Sequence, residues 1–125
     1  MVKILIAEDD TFLANAYRVK FTKSGDDVKI ASDGKEALAI AASFHPEVIL
    51  MDLVMPNMDG FAALSELKKN PITKHISVII ASNLGQKEDV DKALGLGASS
   101  FIIKSDISIS SLVEKVHALA LSSSK

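Results

Sequence analysis

Short apolar runs alternate with longer segments of helical period along the chain, and this alternation constrains the fold more than any other feature. The runs rich in β-branched residues predict five strands, at about 2–7, 27–31, 48–51, 78–81 and 100–103. Apolar residues that recur every three or four positions predict helices over 10–24, 35–44, 60–69, 87–96 and 109–121. Strict alternation of this kind predicts an α/β fold, a doubly wound parallel sheet with helices on both faces.

Length and composition narrow the class of protein further. The 125 residues suit one domain, placed at residues 1–121, with a flexible tail at 122–125. A net charge of −2 with scattered lysines gives no basic patch for nucleic acid or an anionic membrane surface. Cysteine is absent, which excludes disulfides and thiolate metal sites. With no membrane-length apolar stretch and no signal-peptide pattern at the N-terminus, we expect a cytoplasmic protein.

Polar side chains directly follow four of the five predicted strands. These residues are Glu8 and Asp9 after the first strand, Asp52 after the third, Ser82 after the fourth and Lys104 after the fifth. Right-handed crossovers place the carboxyl ends of parallel strands at one edge of the sheet, where such folds bind their ligands. We therefore expect these five side chains, far apart in sequence, to converge on one crevice.

The chemistry of this group points to phosphoryl transfer. Carboxylates at close range repel one another unless a cation lies between them, and Lys104 supplies one positive charge. A divalent cation is the natural second, and hard oxygen ligands without histidine or cysteine select Mg²⁺, or Mn²⁺. In such a site Asp52 can act as the nucleophile while the metal and Lys104 balance the charge of the transferred group. The Ser82 hydroxyl can donate a hydrogen bond to a phosphoryl oxygen.

With these residues, the chain resembles the receiver domains of two-component response regulators, of the single-domain chemotaxis type, over essentially its whole length. The resemblance implies a flavodoxin-like fold, with five strands in the order 2-1-3-4-5 and five helices. It also implies that Asp52 is the phosphoacceptor, assisted by Ser82 and Lys104. The residues it implies as metal ligands are Glu8, Asp9, Asp52 and Val54, the last through its backbone carbonyl.

The same resemblance implies a switch rather than an enzyme with an external substrate. A histidine kinase or phosphotransfer protein would supply the phosphoryl group, and the chain would catalyse only its own phosphorylation and dephosphorylation. Ser82 and Phe101 match the switch positions, and Pro56 and Gly60 match the loop after the acceptor. A downstream protein partner is implied at the face formed by the fourth helix, the fifth strand and the fifth helix.

Two positions depart from the family pattern. Receiver domains usually place a proline in a cis bond after the lysine, whereas Ser105 follows Lys104 here. A cis bond before a residue other than proline costs about 2.5–4 kcal/mol, so this bond is either trans or held under strain. Asn83 stands after Ser82, where the family prefers a small residue. These departures leave open a pseudo-receiver, a protein-binding module that works without phosphorylation, although the acceptor, the metal acids and the lysine are all present.

Other charged residues are interpreted without a role at the site. Asp10 is expected to begin the first helix rather than bind metal. Two adjacent pairs, Asp26-Asp27 and Lys68-Lys69, are expected to be solvated charges. No site role is assigned to the histidines, which are His45, His75 and His117. A phosphatase of the haloacid-dehalogenase type would need an acid two residues after Asp52, where Val54 stands, and no P-loop motif occurs.

Overall fold

Parallel strands alternate with helices along residues 2–83 and 85–123, which a computed structural model describes. The strands are β1 (Lys3–Ala7), β2 (Asp27–Ala31), β3 (Val48–Met51), β4 (Ser77–Ser82) and β5 (Ser100–Ile103). The helices are α1 (Thr11–Lys23), α2 (Gly34–Phe44), α3 (Gly60–Lys69), α4 (Lys87–Gly95) and α5 (Ile109–Ser123). A short 3-10 turn, Lys104–Asp106, joins β5 to α5. Every predicted strand and helix is therefore confirmed, with small differences at the ends.

The strand order is β2-β1-β3-β4-β5, and all neighbouring strands are parallel. This confirms the doubly wound, flavodoxin-like fold with the order 2-1-3-4-5. In the register of the sheet, Ala7 lies beside Met51 and Met51 lies beside Ile80. Glu8 and Asp52, each the next residue along its strand, therefore leave the sheet at the same level and on neighbouring strands.

The sheet separates two apolar cores among the described residues, because successive side chains of a strand point to opposite faces. On β1, Ile4 and Ile6 face the helices α1 and α5, whereas Leu5 and Ala7 face α2 and α3. The same alternation holds on β3 and β4, so both faces of these central strands are buried. This explains why the sequence shows continuous apolar runs instead of the polar–apolar pattern of a half-exposed sheet.

Aspartates cap three of the helices at the edge of the sheet where the strands end. Oxygen atoms of Asp10, Asp33 and Asp59 accept hydrogen bonds from amides in the first turns of α1, α2 and α3 respectively. The expectation that Asp10 begins a helix is confirmed, with Oδ1 accepting from the Phe12 and Leu13 amides at 3.0 and 3.1 Å. Such caps stabilise a helix by about 1 kcal/mol each.

Helix α5 continues two residues beyond its predicted end. Its last turn includes Ser122 and Ser123, which the sequence assigns to the tail. The remaining tail residues, 124 and 125, lie outside the described part of the chain. Among the described residues, no helix is both long and apolar enough to cross a membrane.

Two charges expected to be solvated are instead partnered inside the structure. Asp26 is 8% exposed, and its Oδ2 lies 2.5 Å from Nε2 of His117 on α5. Its Oδ1 also accepts a hydrogen bond from the amide of Val2. Lys68 Nζ donates to the carbonyls of Lys74 and Ile76, at 3.1 and 2.7 Å. The predictions for Asp26 and Lys68 were wrong because the partners come from other segments, which sequence spacing does not reveal.

Candidate functional site

Lys104 joins two acidic residues at the edge of the sheet. Its Nζ makes an ion pair with Oε1 of Glu8 and lies 3.1 Å from Oδ2 of Asp52. The three side chains are largely shielded from solvent, with 13% of Lys104, 3% of Glu8 and 12% of Asp52 exposed. The strand topology thus brings the residues that directly follow β1, β3 and β5 into contact, as the sequence predicted.

Asp9 completes an acidic cluster with the two paired carboxylates. Oxygen atoms of Glu8, Asp9 and Asp52 all lie within 4.8 Å of one another. Asp9 is exposed while Glu8 is buried, so the cluster opens toward solvent on the Asp9 side. Three carboxylates supply the hard, anionic oxygen donors that Mg²⁺ prefers. The donor set therefore fits this metal.

Backbone contacts fix the orientation of Asp52. Its amide donates to the carbonyl of Ala7 at 3.0 Å, and its Oδ1 accepts from the amide of Leu53 at 2.8 Å. Oδ2 is the oxygen that faces Lys104. Helix α3 begins directly against this backbone, because a Cβ atom on Gly60 would lie 2.3 Å from the carbonyl oxygen of Asp52. Asp52 is therefore held from both sides.

The charges of the cluster perturb one another. Burial raises the pKa of the Glu8 carboxyl to about 7; Asp52 adds to this shift, while contact with Lys104 opposes it. Burial lowers the pKa of Lys104, but the hydrogen bond to Glu8 and the neighbouring carboxylates outweigh it and leave this pKa above its usual value. Lys104 consequently remains charged at neutral pH, whereas Glu8 is close to its titration point without metal.

Glu8 is expected to make the metal-free protein less stable as the pH rises from about 4.5 to 7. Because its pKa is higher in the folded state, the folded protein holds more protons across this interval and loses stability as they dissociate. The contribution reaches about 3 kcal/mol at most. In urea unfolding with EDTA, the free energy of unfolding should decline less steeply with pH across this range for Glu8→Gln than for wild type. The same substitution at the exposed Glu114 is the control, and parallel curves for wild type and Glu8→Gln would refute the expectation.

The other predicted site residues lie at the end of β4, on β5 and in the loop after β3. Ser82 is 1% exposed at the end of β4 and is aligned with Ile103, the residue before Lys104. Phe101 is half-buried and packs against the core on the α2–α3 side. Val54 is 61% exposed in the loop after Asp52. The ion pairs of the site join Lys104 to Glu8 and Asp52, and the carboxylate of Asp9 lies near both acids.

The bond between Lys104 and Ser105 is trans, since the described residues contain no cis peptide bond. The chain instead turns through the 3-10 segment Lys104–Asp106. A pocket of about 200 Å³ lies between this turn and α1, and Tyr17 and Asn83 are among its lining residues. Neither the turn nor the pocket was predicted. Tyr17 fits the apolar face of α1, so the sequence pattern does not indicate that it lies beside Lys104.

Comparison with known proteins agrees with this geometry. The response regulator receiver domain family matches residues 4–117 of the chain. Response regulator PleD of Caulobacter vibrioides is 38% identical over 102 residues, which are 82% of this chain and 22% of that protein. The transcriptional regulator RpaA of Synechocystis is 30% identical over 95% of the chain and 49% of its own length. The chain thus spans between about a fifth and a half of these curated relatives.

Solved structures show the same relationship. The receiver domain of Francisella response regulator 1452 is 35% identical with a TM-score of 0.88, covering 96% of this chain and 97% of its own. The Mn²⁺-bound form of response regulator Rcp1 is 26% identical with a TM-score of 0.79, covering 95% and 91%. The family match and these relatives, together with the acidic cluster and its lysine, establish that this chain belongs to the receiver domains of two-component response regulators.

Proposed function

We propose that this receiver accepts a phosphoryl group on Asp52 from a histidine kinase or phosphotransfer protein. The observation that carries the proposal is the position of Lys104, which contacts Asp52 and Glu8 within an acidic cluster completed by Asp9. Asp52 has one oxygen on the amide of Leu53 and the other on the lysine. Glu8 is held in a similar way, by the amide of Asp10 and by Lys104, but its side chain is more deeply buried, with 3% exposed against 12% for Asp52. The arrangement at Asp52 presents an oriented carboxylate beside a fixed positive charge.

The metal ligands in this proposal are the carboxylates of Glu8, Asp9 and Asp52, with the backbone carbonyl of Val54. Mg²⁺, when bound, neutralises charge on the phosphoryl oxygens during transfer. Glu8 keeps its contact with Lys104, which suits a ligand that reaches the metal through water. The Mn²⁺-bound relative supports Mn²⁺ as a substitute.

In the transfer step, a carboxylate oxygen of Asp52 attacks the phosphorus atom of a phosphohistidine. A P–O bond forms, the P–N bond breaks, and the electron pair leaves with the imidazole of the donor. Lys104 then exchanges its contact with the carboxylate for one with a phosphoryl oxygen, which it stabilises electrostatically. Ser82 donates a hydrogen bond to the same group. Hydrolysis of the acyl phosphate returns Asp52 to its free form.

The phosphoryl group would act through a change in population between two conformations. Movement of Ser82 and Phe101 toward the acceptor would alter the face formed by α4, β5 and α5, where we place the downstream protein partner. The exposed α4 surface carries charged residues and Leu94, which is 47% exposed. The proposal places the protein in the cytoplasm, where ATP-dependent kinases can supply the phosphoryl group.

Intact-mass spectrometry after incubation with acetyl phosphate tests this function. Wild type with Mg²⁺ should gain the mass of one phosphoryl group, and EDTA should abolish the gain. An absent gain, under conditions that label another receiver, would leave either a pseudo-receiver or an acyl phosphate that is hydrolysed too fast. Beryllofluoride, an unreactive phosphoryl mimic, separates these outcomes, because a pseudo-receiver should not bind it at Asp52.

A further inference from the structure

The loop between β3 and α3 carries both Asp52 and Val54, and it is anchored unevenly. Leu53 and Met55 are buried, with 2% and 8% exposed, and they fix the first half of the loop. Val54 and Pro56 are exposed and provide no comparable packing. In the second half Met58 is only partly buried against the core, and polar contacts to the neighbouring helix α2 add to this packing.

Asn57 supplies one of these contacts. Its Nδ2 donates a hydrogen bond of 2.6 Å to Oδ2 of Asp33, the residue that caps α2. The other oxygen of Asp33, Oδ1, accepts from the amide of Glu36 at 2.8 Å. Asn57 has a φ of 65°, a left-handed conformation that asparagine adopts more readily than most residues. Asp33 thus joins the start of α2 to the loop after the acceptor.

A backbone contact beside this bond brings the two segments close together. The amide of Gly34 donates to the carbonyl of Met58 at 3.1 Å. A Cβ atom on Gly34 would lie 2.4 Å from that same carbonyl oxygen, so no other residue fits without moving the loop. The pair Asp33–Asn57 and the pair Gly34–Met58 together form a clamp between α2 and the loop.

We propose that Asp33 and Asn57 are positioning residues for the metal site, acting through the loop that carries Val54. The inference rests on the proposed function, in which the Val54 carbonyl and the Asp52 carboxylate are metal ligands. Mg²⁺ requires nearly ideal octahedral geometry, so a backbone ligand must be held with little freedom. Removing the outer contacts that orient metal ligands commonly weakens metal binding by about 10–100-fold. Asn57 is three positions after Val54, close enough for the side-chain bond to limit the position of the carbonyl.

Exchange of the two residues provides a sharp test. Asn57→Asp keeps a residue that tolerates the left-handed conformation but sets two carboxylates against each other. The double variant Asp33→Asn with Asn57→Asp restores one donor and one acceptor, and asparagine remains a good helix cap. Calorimetric titration with Mg²⁺, checked with Mn²⁺ by electron paramagnetic resonance, should show roughly 3–10-fold weaker binding for Asn57→Asp. The double variant should return to the wild-type affinity.

Charge and stability controls make the result specific. Asn57→Asp adds a negative charge near the cluster, which alone would tighten cation binding, so weaker binding cannot come from charge. Asp33→Asn alone should bind Mg²⁺ nearly as tightly as wild type. The Asn57 side chain can rotate so that its Oδ1 accepts a hydrogen bond from the side-chain amide introduced at position 33. Thermal unfolding without metal distinguishes a bond that only stabilises the fold from one that positions the metal site. If the bond is only structural, Asn57→Asp would lower the unfolding midpoint and leave the affinity for Mg²⁺ unchanged.

Two results would overturn the clamp: wild-type affinity in Asn57→Asp, or a double variant that binds as weakly as Asn57→Asp. A wild type that binds no Mg²⁺ would be a different failure. It would reject the proposed function, and the positioning role would be rejected with it.

Discussion

Asp52→Asn is expected to eliminate the Mg²⁺-dependent gain of one phosphoryl group from acetyl phosphate. The amide cannot supply the anionic oxygen that attacks phosphorus, and it removes one negative ligand from the metal cluster. It also leaves Lys104 with Glu8 as its remaining carboxylate contact at the site. Intact-mass spectra of wild type and variant, recorded side by side, measure the loss directly.

Asp10→Asn is the matched control for this experiment. It makes the same chemical change two residues from Glu8, at a side chain that caps α1. Asparagine caps a helix as well as aspartate, so folding should be preserved and labelling should continue at the wild-type level. Phosphorylation that persists in Asp52→Asn would reject Asp52 as the acceptor, and peptide mapping would then locate the true site.

Gly60→Ala is expected to lower the free energy of unfolding by about 2–4 kcal/mol. The added methyl group would lie 2.3 Å from the carbonyl oxygen of Asp52 and 2.8 Å from Cα of Leu53. Both are backbone atoms in the segment that orients Asp52, so neither can turn aside as a flexible side chain would. Urea unfolding gives the change in stability, and acetyl phosphate labelling should fall with it because Asp52, the proposed acceptor, is displaced.

The same substitution at Gly95 separates this steric effect from helix propensity. Gly95 is the last residue of α4, and nothing lies within 4 Å of the Cβ that an alanine would add. Gly95→Ala should therefore be neutral or stabilise the fold by up to about 1 kcal/mol. Equal effects at the two positions would mean that α3 can shift away from β3 without difficulty.

The fold and the centre of the site could be predicted because both follow from topology. Once the strands are known to be parallel, the residue after each apolar run must lie at the same edge of the sheet. This places Glu8, Asp52 and Lys104 together without any knowledge of side-chain positions. The roles expected for Ser82, Phe101 and Val54 come from the family resemblance and stay predictions.

The contacts that escaped prediction depend on how separate loops and helices meet in the fold. The pair Asp26–His117 spans 91 residues, and the pair Asp33–Asn57 spans 24. Neither pair follows a strand or helix period, so the sequence does not distinguish these polar residues from ordinary solvated ones. Lys68 escaped for the same reason, since its acceptors are backbone carbonyls, which no sequence pattern distinguishes. The path of the chain after Lys104 depends on the local backbone conformation, which Ser105 does not restrict as a proline would.

The burial of Tyr17 beside Lys104 gives the protein an optical reporter of its own. The chain contains one tyrosine and no tryptophan, and this tyrosine is 5% exposed. Burial raises the pKa of Tyr17, and the charges of Lys104, Glu8 and Asp52 also act on it. Ultraviolet fluorescence of the unlabelled protein therefore arises almost entirely from a ring that senses the site. Titration with Mg²⁺ or beryllofluoride should change its emission, so ligand binding can be followed continuously in the native chain.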